Sequence, residues 1–458
     1  MEYSAFDKVP QNKRTFSFWD QFAFWFGATS LPAAWYYGAL MAGWQGIMGA
    51  LFLIFIVNTL SLIPWAYLGE IASETGGSSM AMVRPAFGIR GSIVPSIFYL
   101  VFGVGWGVVN VFLGAIALSF IFKLWLGFPS YIDGNNSGYM VSYILIVSLI
   151  QGFFAVEGAE KIKKLQWAAT IFFLLLGLYQ TFVVVHHWGI GRLLTWRPNG
   201  ILTASIGPFT YPITLALLID LLIAYNWTWE FIGDFSRFAK NKRAGIWGPF
   251  LGANLAQYWW FLVGALAVIY LSITTGKFNP LLADPSSTTV ALGLGWLAAL
   301  VILFATITTN AGNIYASALG IANILQNKKI SLRTLSIWGS LLIALLSLTP
   351  LFSNQFVGFY IFFLDFLGAI VVPLWTVTLV DYFIVNRRKY SDDLFKLKGG
   401  KYWFNNGWNF PGVMTLLSGT VFYWIVAYVF PHIRGSITAA LPTMIFVGVV
   451  YMIWMRRK

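Results

Sequence analysis

Residues 18–43 read FWDQFAFWFGATSLPAAWYYGALMAG, an apolar run with a proline near its middle. A helix needs about 20 apolar residues to cross the roughly 30 Å of hydrocarbon in a bilayer. Pro32 removes one backbone donor and clashes with the preceding turn, and the polar Thr29 and Ser30 stand just before it. The run therefore predicts a membrane-spanning helix that is broken near its centre. The alternative is a proline that only kinks a packed helix.

The rest of the chain repeats this apolar pattern. Hydrophobic residues make up 58% of the 458 residues and charged residues only 10%, whereas a soluble chain carries roughly 25% charged residues. We therefore expect an all-α polytopic membrane protein with twelve transmembrane helices. The predicted spans are residues 18–43, 48–71, 93–123, 139–157, 163–185, 207–234, 245–274, 291–324, 332–349, 354–385, 411–430 and 436–455.

The distribution of basic residues predicts the orientation. Twelve spans place both termini on one side of the membrane, and 24 of the 29 Lys and Arg residues lie on that side. Because basic residues collect in cytoplasmic loops, we expect a plasma-membrane protein with a cytoplasmic N-terminal tail (1–17), a cytoplasmic loop (386–410) and a cytoplasmic C-terminal tail (456–458). The net charge of +13 is then explained by the basic residues of the cytoplasmic loops. We therefore predict no nucleic-acid partner. No obligate protein partner is evident.

The scarcity of reactive side chains excludes several functions. The chain has no Cys and three His, which excludes a disulfide framework, a thiol nucleophile and a Cys-ligated metal. An intramembrane aspartyl protease is also disfavoured, because no Gly-x-Gly-Asp string surrounds Asp220, Asp234 or Asp365. We therefore expect no enzyme activity and no cofactor.

Polar residues within the predicted spans concentrate in spans 1, 3, 6, 8 and 10. Two groups of five spans have this spacing, and an odd number of spans inverts the second group. Many secondary transporters are built in this way, with broken helices at the centre of the membrane. We predict a first repeat over 18–185, a second over 207–385 and two extra C-terminal helices over 411–455. In span 6 only the polar string Asn226-Trp227-Thr228 hints at a matching break.

Span 3 contains three closely spaced glycines, Gly103, Gly105 and Gly107. No strand precedes them, so they do not form a nucleotide-binding loop. Small residues in a membrane helix allow neighbouring helices to approach closely. We expect this role for the three glycines, with space for a ring beside Trp106 as a second consequence.

Four motifs in chain order carry a family resemblance. They are RPAFGIRG at 84–91, DFSRF at 234–238 with WGP at 247–249, TTNAGNIY at 308–315, and FLG at 366–368 followed by Pro373, Asp381-Tyr382 and Arg387-Arg388. Together they resemble the nucleobase–cation symporter-1 family of cytosine permeases, hydantoin transporters and allantoin permeases, from residue 14 to residue 388. The resemblance implies a leucine-transporter-like five-plus-five inverted repeat with two extra helices. It also implies import of a planar heterocycle by alternating access, driven by sodium or protons.

The resemblance also assigns a stacking site. Trp106 and Asn110 match a Trp and an amide that stack on the substrate ring and hydrogen-bond to it, and their four-residue spacing places them on one helix face. Tyr225 matches a second stacking aromatic residue, which is Trp in the hydantoin transporters. Because this chain departs from the family there, Trp227 and Trp229 are alternatives.

Two further substrate contacts follow from the resemblance. Ser30 matches a polar contact beside the break in span 1. Asn313 resembles a substrate amide of span 8, although the register is ambiguous against Asn310 and Ile314.

The resemblance further implies a sodium site made entirely of oxygen atoms. Its ligands would be the hydroxyls of Thr308 and Thr309 and the carbonyls of Ala305, Phe26 and Thr29. The alternative is that the threonines bond back to carbonyls of their own helix.

The buried acids leave the coupling ion open. Asp220, Glu230 and Asp365 are carboxylates at membrane depth that could carry protons, so that protons instead of sodium would drive transport.

No Lys or Arg lies near the middle of a core span, so we expect a neutral or cationic substrate. An amino-acid or polyamine transporter of the same fold is the alternative function.

Overall fold

The computed structural model describes residues 3, 6–133, 137–156, 159–278, 285–291, 293, 295–325, 330–353 and 356–456. Helices dominate these residues and are named α1 to α20 in chain order. They are Phe18–Thr29, Pro32–Met41, Gly46–Phe52, Asn58–Thr75, Ser79–Met82, Arg84–Phe87, Ile93–Leu126, Ser137–Val156, Ala159–Thr195, Leu215–Trp227, Ile232–Ser236, Lys242–Thr275, Pro285–Ala291, Gly295–Leu325, Leu332–Leu346, Thr349–Ser353, Phe356–Val380, Phe410–Trp424, Pro431–Ile437 and Ala440–Arg456.

Short segments with wider or tighter turns extend several of these helices. π-helical turns follow α3, α17 and α18, at Leu53–Val57, Asp381–Val385 and Ile425–Val429. Among the described residues, 3₁₀ turns lie in the connections at Gln11–Lys13, Tyr131–Asp133, Asp392–Phe395 and Lys401–Trp403.

Ten helical stretches of the described chain are long and apolar enough to cross a membrane. The pair α19 and α20, bent by 95°, raises the number to as many as eleven. The predicted first span is not among them, because its break leaves helices of 12 and 10 residues. The all-helical membrane architecture is confirmed, whereas the count of twelve stays a prediction.

A β-hairpin corrects the predicted start of span 6. Strands β1 (Thr203–Ile206) and β2 (Phe209–Pro212) pair in antiparallel register, and α10 begins only at Leu215. The predicted start at residue 207 is therefore wrong. Proline explains the error: Pro208 and Pro212 lie in an apolar stretch but lack the N–H that a continuous helix needs.

The first predicted broken helix is confirmed. Helix α1 ends at Thr29, Leu31 is extended (φ −146°, ψ 156°), and α2 begins with Pro32 as its first residue. One of the freed carbonyls has a nearby donor, since the Ser30 hydroxyl donates to the Phe26 carbonyl (2.7 Å). Proline suits a first helical position because its missing N–H would be unpaired there anyway.

The second break lies at the Asn226-Trp227-Thr228 string. Helix α10 ends at Trp227, and α11 begins at Ile232. Side chains from three other helices donate to the carbonyls that the break frees: the Trp375 indole to Trp227 (2.8 Å), the Trp65 indole to Trp229 (3.0 Å) and the Ser79 hydroxyl to Glu230 (2.6 Å). Inside a bilayer such carbonyls have no water to bind, so these donors make the break possible.

Helix packing follows the symmetry of an inverted repeat. Spans 1 to 10 correspond, in order, to α1–α2, α3–α4, α7, α8, α9, α10–α11, α12, α14, α15–α16 and α17. Span 1 packs on span 7, and the equivalent span 6 packs on span 2. Spans 3 and 8 pack on each other. Span 8 contacts spans 4 and 5, and span 3 contacts the equivalent spans 9 and 10. Exchanging each span n with n + 5 thus reproduces these contacts. The two broken spans also touch, since the rings of Tyr37 on α2 and Tyr225 on α10 stack with 5.5 Å between their centroids.

The three glycines of α7 act as predicted. A Cβ atom at Gly103 would lie 2.5 Å from the Ser317 hydroxyl on α14, and one at Gly105 would lie 2.2 Å from the Phe363 ring on α17. A Cβ at Gly107 would lie 2.5 Å from Ile343 on α15. Each glycine therefore lets a different helix approach α7 beside Trp106.

Candidate substrate and ion site

Trp106 of α7 lies at the centre of a buried aromatic enclosure. The Trp229 ring, from the break in span 6, is nearly parallel to it, with 6.3 Å between centroids and 19° between planes. Tyr225 and Phe363 present their edges at 5.3 and 5.5 Å, and Tyr360 does so at 6.4 Å. We call these five residues the ring enclosure. Parallel indoles flanked by edge-on rings offer the faces on which a flat ring stacks.

The spacing of the two indoles shows that the enclosure is closed. A planar ring packed about 3.5 Å from each neighbour needs about 7 Å between the two indoles. The observed centroid separation is 6.3 Å, so the two indoles are too close together to hold a ring between them. A ring could lie between Trp106 and Trp229 only after the two indoles have moved apart.

Thr228 connects the two walls of the ring enclosure. The Trp106 indole N–H donates to the Thr228 hydroxyl (2.9 Å), which itself donates to the Tyr225 carbonyl (3.0 Å). A buried indole N–H requires such a partner. This chain of bonds fixes the Trp106 ring relative to the end of α10.

The structure separates the three aromatic candidates of span 6. Tyr225 and Trp229 lie beside Trp106. The Trp227 indole donates instead to the Ser61 carbonyl of α4 (2.8 Å). The predicted contact between Trp227 and the substrate thus has no geometric support, because that side chain is directed at α4.

The amides of spans 3 and 8 lie along the contact between α7 and α14. Asn310 donates to the Gly107 carbonyl (3.1 Å) and to the Gln151 side chain (2.5 Å). Asn313 donates to the Asn310 side-chain oxygen (3.0 Å). The described contacts therefore occupy Asn310, while Asn313 keeps its side-chain oxygen available, which favours Asn313 as the substrate amide. Asn110 donates to the Trp106 carbonyl (2.9 Å).

Four of the five predicted sodium ligands lie at buried positions. Of the two predicted hydroxyl ligands, Thr308 bonds within its own helix, and so does the hydroxyl of Thr29, whose carbonyl is the predicted ligand. Thr308 donates to the Ala305 carbonyl (3.0 Å), and Thr29 donates to the Trp25 carbonyl (2.8 Å). A hydroxyl that donates its hydrogen keeps lone pairs for a cation. Thr309 is also buried, and Phe26 is half-buried with its carbonyl accepting from Ser30.

The three candidate proton carriers have different surroundings. Asp365 accepts two bonds from the Arg434 guanidinium (2.6 and 3.1 Å) and two from the hydroxyls of Tyr423 and Tyr428. Asp220 accepts from Arg434 (3.0 Å) and from backbone amides at the start of α20. Arg434, which the sequence places in an outer connection, is thus buried in an ion triad with these two acids.

Glu230 differs from the other two acids. It lies in the break of span 6, directly after Trp229, and is only 2% exposed. Its Oε2 atom accepts no hydrogen bond from any residue that the structure describes. A buried polar atom without a partner is costly, so this oxygen is available for a ligand or a proton.

Sequence reasoning missed Thr228, Tyr360 and Phe363 as parts of the site. Tyr360 and Phe363 are three residues apart and share a face of α17, but span 10 holds many aromatic residues with the same spacing. Only the packing of α17 against α7 selects these two. The polar string at 226–228 was a signal for Thr228.

Two broken helices and a buried ring enclosure are typical of a secondary transporter. The family model described as "Permease for cytosine/purines, uracil, thiamine, allantoin" matches residues 8–450. The chain belongs to this family, which confirms the resemblance to the nucleobase–cation symporters. It is accordingly a membrane permease for small heterocycles and not an enzyme.

Individual relatives agree with this assignment. The cytosine permease of Escherichia coli (strain K12) is 28% identical over 340 residues, covering 74% of this chain and 71% of that protein. The structure of Mhp1, a nucleobase-cation-symport-1 family transporter closed with bromovinylhydantoin bound, matches with a TM-score of 0.75 at 20% identity, covering 99% of this chain and 95% of the other. A Na⁺-coupled sialic acid symporter matches with a TM-score of 0.63 at 13% identity, covering 98% and 91%. Both structural matches concern the fold.

Proposed function

We propose that this permease imports a nucleobase or a closely related planar heterocycle and couples the import to sodium. The observation that carries the proposal is the nearly parallel pair of Trp106 and Trp229, 6.3 Å apart in a buried enclosure. Two indole faces bind a flat unsaturated ring well, whereas an aliphatic amino acid or a polyamine has no flat face to stack.

Polar atoms around the ring enclosure support the same class of substrate. The Asn110 side-chain oxygen, the Tyr225 hydroxyl and the Trp229 indole nitrogen are buried, and none has a hydrogen-bond partner among the described residues. A heterocycle with N–H and C=O groups on its edge would satisfy these atoms while its faces stack. Asn313 adds a fourth polar group from α14.

The charge of the site favours a neutral substrate. Arg434 is buried against α10 and α17, but Asp220 and Asp365 neutralise it. A guanidinium engaged in this way is not available to an anion. A neutral ring avoids the large desolvation cost of bringing a charge into the membrane interior.

The donor set proposed for the ion suits sodium. It consists of the Thr308 and Thr309 hydroxyls and carbonyls from α14 and the end of α1. Where α1 ends, its last carbonyls lose their helical partners, and Pro32 offers no N–H to the carbonyl of Ala28. Oxygen ligands without a surplus of carboxylates suit a monovalent hard cation, and the described residues contain no cluster of three His, Cys, Asp or Glu that would hold a transition metal.

The positions proposed for the two sites support alternating access. The proposed ion ligands join span 1 to span 8, and the ring enclosure joins spans 3 and 10 to span 6. Binding at either site therefore favours one arrangement of the same broken helices, which couples the two ligands thermodynamically. In the proposed orientation, in the plasma membrane with cytoplasmic termini, the inward sodium gradient drives uptake.

The proposal is tested by ligand binding to the purified protein. We expect at least one nucleobase-type heterocycle to raise the melting temperature, because a ligand at about 100 times its Kd stabilises the folded state by roughly 2.7 kcal/mol. Trp106→Ala and Trp229→Ala should each abolish this shift. Trp338→Ala is the matched control, since Trp338 lies on α15 and is 64% exposed.

Two results would contradict the proposal. A shift with amino acids or polyamines but not with any heterocycle would replace the substrate class. Unchanged heterocycle affinity in folded Trp106→Ala protein would place the binding site elsewhere.

A further inference from the structure

A cavity outside the ring enclosure lies where α1 and α12 begin. Its volume is about 430 Å³, within the range of roughly 300–1,000 Å³ that small-molecule sites occupy. Residues 17–19 line it on one side, and Lys240, Asn241 and Arg243 line it on the other. In the proposed orientation, this end of the two helices is the cytoplasmic end.

Hydrogen bonds between distant segments hold the two sides of this cavity together. The Phe16 amide donates to the Phe238 carbonyl (2.8 Å), and the Lys240 amide donates to the Phe16 carbonyl (2.8 Å). The Gln11 side chain donates to the Lys240 carbonyl (3.0 Å). These bonds fix the segment that carries Lys240 beside the segment that leads into α1, so the position of the cavity is set by the fold.

The two basic side chains at the cavity are not used for ion pairs inside the protein. Lys242, which lies between them in the sequence, pairs with Glu70 (3.2 Å) and Glu74 (3.5 Å) on α4. Lys240 and Arg243 are exposed, and neither belongs to an ion pair within the part of the chain that the structure describes. The cavity therefore presents two positive charges to a ligand.

The acid of α1 serves its own helix. The Asp20 carboxylate accepts from the backbone amide of Ser17 (2.8 Å) and from its hydroxyl (2.6 Å), in a capping box. With two basic side chains and this one acid, the surroundings of the cavity stay net positive. Charge complementarity favours an anionic ligand.

An exposed indole places the cavity at the depth of lipid headgroups. Trp19 lines the cavity and is 69% exposed. Trp side chains are enriched at the interface between the hydrocarbon of a bilayer and water. Basic pockets between membrane helices on the cytoplasmic side are known to suit anionic headgroups.

An apolar surface on α1 begins at the cavity. Phe18, Phe22 and Phe26 recur at intervals of one helical turn and are partly exposed. Each ring stacks on the next, with 6.4 and 5.9 Å between centroids. Because Phe18 also lines the cavity, this row of rings leads from the cavity toward the middle of the membrane.

Helix α12 continues this apolar surface. A Cβ atom at Gly248 would lie 2.9 Å from the Phe18 carbonyl oxygen, and one at Gly252 would lie 2.4 Å from that of Phe22, so the two helices touch beside the row of rings. The residues just before these glycines are apolar and exposed, namely Trp247 and Leu251. Both helices thus offer apolar surface that adjoins a basic cavity.

We propose that an anionic phospholipid binds here, with its phosphate in the cavity and its acyl chains along the surface where α1 and α12 meet. The two cations recognise the negative headgroup, and the adjoining apolar surface suits a ligand with acyl chains better than a soluble phosphate. A zwitterionic lipid carries its own compensating cation and is expected to bind more weakly. This inference goes beyond the proposed function and does not depend on which substrate is transported.

The test measures the melting temperature of delipidated full-length protein in neutral detergent. It is titrated with dioctanoyl phosphatidylglycerol, with dioctanoyl phosphatidylcholine and with inorganic phosphate. We expect the phosphatidylglycerol to stabilise the protein, with a half-saturating concentration at least about tenfold lower than that of the phosphatidylcholine. Inorganic phosphate at the same concentrations should produce no shift.

A double variant tests whether the cavity causes this preference. Lys240→Gln with Arg243→Gln should remove most of the preference for phosphatidylglycerol. Arg333→Gln with Lys398→Gln is the matched control, because it removes the same charge at exposed positions outside the cavity and on the same predicted side of the membrane. If the first double variant does not fold, its two single variants are compared with the control instead.

Three results would overturn the inference. An equal response to the two lipids would show that the headgroup charge is not recognised. A shift of the same size with inorganic phosphate would identify a site for a soluble anion. An equal loss of preference in the control variant would show that diffuse surface charge, and not this cavity, attracts the lipid.

Discussion

Thr228 shows how a single hydroxyl can set the geometry of a binding site. It accepts from the Trp106 indole and donates to the Tyr225 carbonyl. It thereby joins span 3 to the end of α10 at the point where the helix breaks. The orientation of the stacking ring depends on this bond, because no other acceptor for the indole N–H is recorded among the described residues.

We expect Thr228→Val to weaken heterocycle binding about tenfold. Valine has nearly the same shape but leaves the buried Trp106 N–H unpaired, at a cost of about 1–3 kcal/mol. Thr228→Ser keeps the hydroxyl and should restore the affinity. The measurement is the Kd of the three proteins, and a valine variant that binds as tightly as the unmodified protein would refute the positioning role.

The residues of the site were predictable to different degrees. Trp106 and Asn110 follow from motif and spacing. The choice of Trp229 over Trp227 does not, because both are indoles in the same short string. Their directions are decided by partners far away in the chain: Ser61 accepts from Trp227, and the Trp106 ring lies beside Trp229.

At the scale of helices, the ion triad connects the C-terminal helices to the transport core. Arg434 of α19 pairs with Asp220 of α10 and with Asp365 of α17. Asp220 also accepts from the backbone amides of Ala439 and Ala440, where α20 begins. A carboxylate at a helix N-terminus is favourable. We therefore regard both acids as structural, which leaves Glu230 as the candidate for any proton coupling.

We expect Arg434→Met to destabilise the protein by about 3–5 kcal/mol, because it leaves two acids buried without their cation. Replacing all three charges together, with Arg434→Met, Asp220→Asn and Asp365→Asn, should restore most of the loss. Melting temperatures in detergent measure the effect. If the single variant melted like the unmodified protein, the triad would contribute no stability.

At the scale of the whole molecule, helix packing connects the two proposed sites. The proposed ion ligands on span 8 and the stacking residue on span 3 belong to helices that pack on each other. We therefore expect a ligand at one proposed site to affect the geometry of the other.

The proposed sodium site predicts a specific loss of coupling. Sodium should raise heterocycle affinity relative to potassium, and the double variant Thr308→Ala with Thr309→Ala should abolish this increase. Thr306→Ala is the control, because Thr306 bonds to the Leu303 carbonyl of the same helix (2.7 Å) and lies against Gly114 of α7. Persistent sodium dependence in the double variant would place the ion elsewhere. Affinity that follows pH instead of sodium would favour proton coupling.

The proposed orientation can be tested directly because the chain contains no Cys. Single cysteines at Lys13 and Arg197, both exposed, are expected on opposite sides of the membrane. A membrane-impermeant maleimide should label Arg197→Cys on intact cells and label Lys13→Cys only after permeabilisation. The reverse pattern would invert the topology.

The sequence by itself determined the membrane class, most of the span positions, the family and the first break. These features depend on hydropathy over about 20 residues and on Pro32, whose effect on a helix is local. Such signals are complete within a short window of the chain.

Only the tertiary structure decided the second break, the choice of Trp229 and the pairing of Arg434. The break at residue 228 has no glycine or proline and depends on donors from Trp375, Trp65 and Ser79. Inside a membrane, each freed backbone group needs a partner from protein. Those partners come from distant parts of the chain, so their positions become known only when the helices are packed.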